Sequence, residues 1–201
     1  MKIARVLTAA ALATAFAATT ASAQQPPQAV PVIGQIQGVD ANLLVIKTQA
    51  GEQKVALANN VAVWGLEKAS VSDVAKGAFI GVGATPQADG SQKAIRVIIF
   101  AEPMRGNGEG HRPWTRPNTT MTNATVDTTV SGVDGQNIMV KYKDGEKKIV
   151  IGSDAVIRKY VAGDKSELKP GAHVGINANR QADGSLQTAR VNVGRGDVVP
   201  D

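Results

Sequence analysis

Beyond residue 31, apolar and polar residues mostly alternate along this chain with a period of two, and Gly, Pro, Asp and Asn punctuate the runs. Ile33 to Val39 predicts a first strand, Asp40-Ala41-Asn42 a turn, and Leu43 to Thr48 the return strand. Glu52 to Leu57 predicts a third strand with Val55 and Leu57 inward, and Val61 to Trp64 a weaker fourth. Ser70 to Lys76 reads as one helical turn that Ser72 can cap. Ile80, Val82 and Ala84 then alternate with Phe79, Gly81 and Gly83, while Ile95, Val97 and Ile99 turn inward and Arg96 faces out. Glycine on the alternate face implies tight curvature or a close approach of backbone.

The same pattern returns 94 residues later, where Asp183 answers Asp89. The offset holds without a gap from Gly38-Val39-Asp40, matched by Gly132-Val133-Asp134, to Val97, matched by Val191. Lys47 matches Lys141, Gly51-Glu52 matches Gly145-Glu146, Gly77-Ala78 matches Gly171-Ala172, and Gln87 to Ser91 matches Gln181 to Ser185. Many other positions exchange one aliphatic residue for another. Such register implies a duplicated domain. Two copies are too few for a solenoid, so each is expected to bury its own core. Short curved strands with one helical turn describe an all-β fold of two tandem small OB-like β-barrels, with a two-sheet sandwich as the alternative. Closure is favoured because so small a domain cannot leave sheet edges open.

The division expected is a signal peptide at 1–23, a flexible lead-in at 24–31, a first barrel at 32–100, a Gly/Pro-rich linker at 101–124, a second barrel at 125–194 and a tail at 195–201. Lys2 and Arg5, the Ala-rich run from Val6 to Ala18 and the Ala21-Ser22-Ala23 cleavage motif carry the export reading, which implies a periplasmic protein. No later stretch is apolar for the roughly 20 residues that a membrane helix needs. Absence of cysteine excludes disulfides and thiol chemistry. The formal charge is +5, and removal of Lys2 and Arg5 leaves +3, too mild and too scattered for a nucleic-acid footprint.

The linker, Glu102 to Trp114, is punctuated by Gly and Pro and is not expected to be regular, yet its content is odd for a spacer. Trp114 or Met104 is expected to dock on a barrel, with Arg112 and Arg105 beside Trp114 as an interaction surface. His111, Met104 and Glu109, with Glu102 near them, are the candidate metal ligands, a donor set that suits copper. His173 replaces Phe79 in the repeat and is expected on the surface. Asp89 and Asp183 invite a carboxylate-pair reading, but equivalent Asp-Gly turns explain them better. Two histidines without a motif around them argue against an enzyme, and no cofactor is expected.

Each copy resembles a small secreted bacterial β-barrel domain of unknown function, through Leu168-Lys169-Pro170-Gly171-Ala172-His173-Val174-Gly175-Ile176 and through Asp183-Gly184 to Val191. The first copy departs from it at Val74-Ala75-Lys76-Gly77. The whole chain is similar to duplicated proteobacterial exported proteins, some labelled metal ABC transporter permease. A permease needs several membrane helices, so only a soluble accessory role survives from that label. These features imply a non-enzymatic binding or interaction module with an envelope protein or small ligand as partner. The alternative is a metal or small-ligand carrier serving a transporter.

Overall fold

The computed structural model describes residues 29–132 and 135–200, so the signal peptide expected at 1–23 lies outside the described residues, as do Val133 and Asp134. The described chain is all-β: twelve strands and three short 3-10 turns, with no α-helix. The strands are β1 (Ala29–Asp40), β2 (Leu43–Thr48), β3 (Gly51–Lys68), β4 (Phe79–Pro86), β5 (Gln92–Ile99) and β6 (Gly110–Pro113). They continue as β7 (Thr120–Gly132), β8 (Gly135–Tyr142), β9 (Gly145–Ile151), β10 (Val156–Ala162), β11 (His173–Arg180) and β12 (Leu186–Gly194).

Hydrogen-bonded pairing closes twice. One circuit runs β1–β2–β3–β12–β11 and back to β1. The other runs β4–β5–β9–β8–β7 and back to β4. Each closed β-barrel therefore takes strands from both halves of the chain. The expected closure of each half on itself is corrected by this pairing.

The cores repeat the exchange at side-chain level. One buried cluster joins Leu44, Ile46, Val55 and Leu57 to Val174, Ile176, Ala178 and Val191. The other joins Ile138, Val140, Ile149 and Ile151 to Ile80, Val82, Ala84 and Val97. Positions 94 apart thus bury their side chains in opposite cores.

The cause lies in β3. Eighteen residues run without a break, where the sequence pattern suggests two strands, and at about 3.3 Å per residue they reach up to roughly 60 Å. Val55 and Ala56 pair with β2 at one end, while Trp64 to Lys68 pair with β10 at the other. The chain is thereby delivered to the far barrel before it makes β4. The β3–β10 ladder sets Leu66 opposite Tyr160, residues 94 apart, and Lys68 and Trp64 opposite Arg158 and Ala162. A local two-fold axis therefore passes between Leu66 and Tyr160.

The gapless offset does not reach β1. Gly38 pairs with Val45, but Met139, the counterpart of Val45, pairs with Thr128. Strands β1 and β7 thus correspond with an offset of 90, and the four extra residues lengthen the β7–β8 hairpin. Two smaller expectations also change. The 3-10 turn Val71–Asp73 is capped by Ser70 rather than by Ser72, and its counterpart Lys165–Glu167 by Asp164. The linker is partly regular: Glu102–Met104 forms a 3-10 turn and Gly110–Pro113 becomes β6 on the edge of β7.

Candidate functional site

Alternation along β5 puts Arg96, Ile98 and Phe100 on the outer side of the second barrel. Beside them, β4 contributes Gly81 and Gly83, and β7 contributes Met121 and Asn123. All of these except Gly83, with Arg112, Trp114 and Tyr160, line a cavity of about 240 Å³. A second cavity of about 180 Å³ shares Arg96, Ile98 and Tyr160 and extends past the two-fold axis to Leu66, Gly175, Asn192 and Pro200. Together they form one trough across the junction of the two barrels.

The glycines make the floor. A Cβ on Gly83 would lie 2.6 Å from Cζ3 of Trp114, and one on Gly81 would lie 2.9 Å from Oδ1 of Asn123 and 3.0 Å from the Phe100 ring. The close approach expected of these glycines is therefore made by rings and an amide. Phe100 stacks on Tyr160 with centroids 5.9 Å apart and meets Phe79 at 5.4 Å. Arg96 and Arg116 lie over the Trp114 ring at 4.9 and 5.4 Å, and Arg190 lies over Tyr160 at 5.1 Å. No carboxylate lines either cavity. Arg112 donates to the Gly108 carbonyl, and Arg190 to Asn192 and to the sulfur of Met104, all neutral groups.

One polar atom in the wall lacks a partner. Asn123 is 7% exposed; its amide nitrogen donates to the Asn107 carbonyl at 2.9 Å, while Oδ1 has no donor. A buried acceptor left unpaired costs about 1–3 kcal/mol, which a ligand N–H or O–H would recover.

The candidate metal ligands point to separate partners. The Met104 side chain is 2% exposed and its sulfur takes the Arg190 contact. Glu109 Oε1 accepts the Lys143 backbone N–H at 3.0 Å. His111 Nδ1 bonds Thr122 Oγ1 at 2.8 Å and its ring stacks against Tyr142. Burial, helped by the Lys147 charge, holds the His111 pKa below its ordinary value. Glu102 grips Arg105 through both oxygens, which holds its own carboxyl below the usual range. No group of three or more His, Asp or Glu with metal-holding geometry occurs among the described residues.

Of the expected interaction residues, Trp114 and Arg112 meet at the trough, whereas Arg105 sits apart, bonded to Gly77 and Thr125 and over Phe79. Asp89 and Asp183 each accept from the N–H and Oγ of a serine two residues on, and these bonds hold both carboxyls below the usual range. They are turn residues. His173 is half-buried on β11 rather than exposed. The Thr122 hydroxyl beside His111 is fully buried, so the pair is closed to a substrate.

Sequence reasoning missed Asn123, Phe100 and Tyr160. Phe100 was within reach, since it continues the outward series of Arg96 and Ile98; Asn123 and Tyr160 arrive through long-range pairing that no local pattern announces. No family model, curated protein or solved structure matches this chain.

Proposed function

We propose that this chain is an exported, non-enzymatic binding module of the bacterial envelope, built from two OB-like barrels that descend from one duplicated domain. Its contact surface is the trough, and its ligand presents negative charge. The Ala21-Ser22-Ala23 cleavage motif supports export, and the 94-residue repeat supports duplication. The observation that carries the binding reading is the trough wall: arginines and aromatic rings, no carboxylate, and the unpaired Asn123 Oδ1. Arginine over aromatic rings is the composition found at interface hot spots.

The test places a photocrosslinking residue at Arg116, beside Trp114, or at Lys148 on β9, in protein exported with its own leader. Discrete adducts are expected from position 116 alone, and Arg112→Glu abolishes them. Equal labelling from both positions, or indifference to Arg112→Glu, ends the reading.

A further inference from the structure

The edge of β7 is covered by β6, which pairs Gly110 with Asn123, His111 with Thr122, Arg112 with Met121 and Pro113 with Thr120. The strand lies between that edge and the β8–β9 hairpin: Glu109 takes the Lys143 N–H and His111 stacks on Tyr142. In the other barrel the strand equivalent to β7 is β1. Val32 faces Ile176 as Thr122 faces Val82, and Ile176 is the counterpart of Val82. The four residues corresponding to Thr120–Asn123 are thus Val30, Pro31, Val32 and Ile33. Those four line a cavity of about 500 Å³. Its opposite wall is Thr48, Gln49, Ala50 and Gln53, the counterparts of Tyr142, Lys143, Asp144 and Lys147 around β6.

The cavity is therefore the equivalent of the slot that β6 fills, and no described strand lies in it. No described strand pairs with the outer edge of β1 before Gln35. Ile36 exchanges both backbone bonds with the segment leading into β11 (its N–H to Ala172, its carbonyl from Gly171), so by alternation Ile33 turns its N–H and C=O to the open side. Pro31 shares that direction and offers only a carbonyl, which shortens the ladder without closing it. Ile33 is 42% exposed, a large apolar side chain that lines this cavity and the adjoining end of the trough. At the rim stands Arg180, which donates to the neutral Gly184 carbonyl. The slot in the second barrel also receives a carboxylate, that of Glu109, at the start of its strand.

We propose that β1 is a strand-addition site, taking an extended peptide of about four residues in the antiparallel sense that β6 shows, with an acidic side chain directed to Arg180 or to the Gln49 N–H. The slot meets one end of the trough at Pro31 and Ile33, but its hairpin wall and Arg180 lie outside both trough cavities, so Ala50→Trp tests the slot and Arg112→Glu tests the trough reading independently.

The probe is the peptide acetyl-Glu-Val-Thr-Val-Glu-amide, titrated into the full chain by calorimetry with amide exchange read by NMR. Saturable binding is expected, with new protection of the Ile33 amide and shifts confined to Val30–Ile33 and Thr48–Gln53. N-methylation of the central peptide amides removes ladder bonds, and Arg180→Glu reverses the charge at the rim; each is expected to weaken binding about tenfold. Ala50→Trp fills the slot from the hairpin side and abolishes binding without touching β1. Equal affinity for the N-methylated peptide, or no protection at Ile33, overturns the proposal. So does concentration-dependent self-association of the chain that Ile33→Lys abolishes, since the occupant would then be a second copy.

Discussion

At the scale of single residues, the outer face of the second barrel depends on two missing side chains. Gly83 carries no unusual backbone angle, so its need for glycine comes from the Trp114 ring above it. That ring is held on the other side by turn 114–119, where the Trp114 N–H donates to the Thr119 carbonyl, and by two guanidinium groups. It cannot move by a few tenths of an ångström without leaving these contacts. Gly83→Val should therefore expel Trp114 or strain β4, at about 1–3 kcal/mol by urea unfolding, with red-shifted tryptophan emission. Gly90→Ala is the contrasting case. Its φ of +81° requires the left-handed region, yet open space surrounds the position, so it should cost about 1–2 kcal/mol from backbone strain and leave the emission unchanged.

At the scale of elements, β6 shows how a segment punctuated by Gly and Pro becomes a strand. Its ladder to β7 is short, and His111 anchors it through Thr122 and the Tyr142 ring. The depressed His111 pKa makes this docking sensitive to pH. An unfolded chain protonates its imidazole near pH 6.5, while the fold resists the proton until a lower pH. Stability is thus fully present above the unfolded value and falls as pH drops from there through the folded value. Carboxylates held low by their partners, such as Glu167 beside Arg195, titrate below this window. The urea midpoint should fall between pH 7.5 and 5.5, and His111→Gln should remove the part due to this side chain. An unchanged slope in the variant would mean that the imidazole is not the titrating group. Strands themselves were legible: β2 falls where alternation places it because one face is the more buried, and the start of β4, buried on both faces, still alternates Ile80, Val82 and Ala84 with Phe79, Gly81 and Gly83. Strand β6 was not, since its pairing lies in β7, and four residues ending in Pro113 show no alternation of their own. The docking of Trp114 and Met104 was legible from the cost of leaving either side chain in water. Asn123 was invisible beside them.

The scale of the whole molecule holds what the sequence conceals. Exchanged and unexchanged closures bury the same side chains, since Ile80 fills its place against Ile138 as Val174 does against Leu44. A hydrophobic pattern cannot tell the two apart. The difference rests on β3, whose counterpart in the second half breaks into β9 and β10 at Gly152–Ala155. At the matching point β3 also detours: Thr188 faces Leu57 and Arg190 faces Ala62, two residues on one strand against five on the other. Both halves therefore turn the same corner, and both send their last two strands to the other barrel. Neither half can close alone. A protease site inserted at Asn107, between Gly106 and Gly108 on an exposed turn, should yield two fragments that still elute together and unfold in one transition, because six strand pairings (β1–β11, β3–β12, β3–β10, β5–β10, β4–β7 and β5–β9) join the two sides of the cut. Residues 29–100 made alone should lack strand content by circular dichroism, since three of the five staves around Ile80 would be missing. Ile80→Ala in the intact chain should cost about 2–5 kcal/mol and lower both barrels together. Fragments that separate on the column, or a half that folds unaided, would mean that each half closes on itself after all.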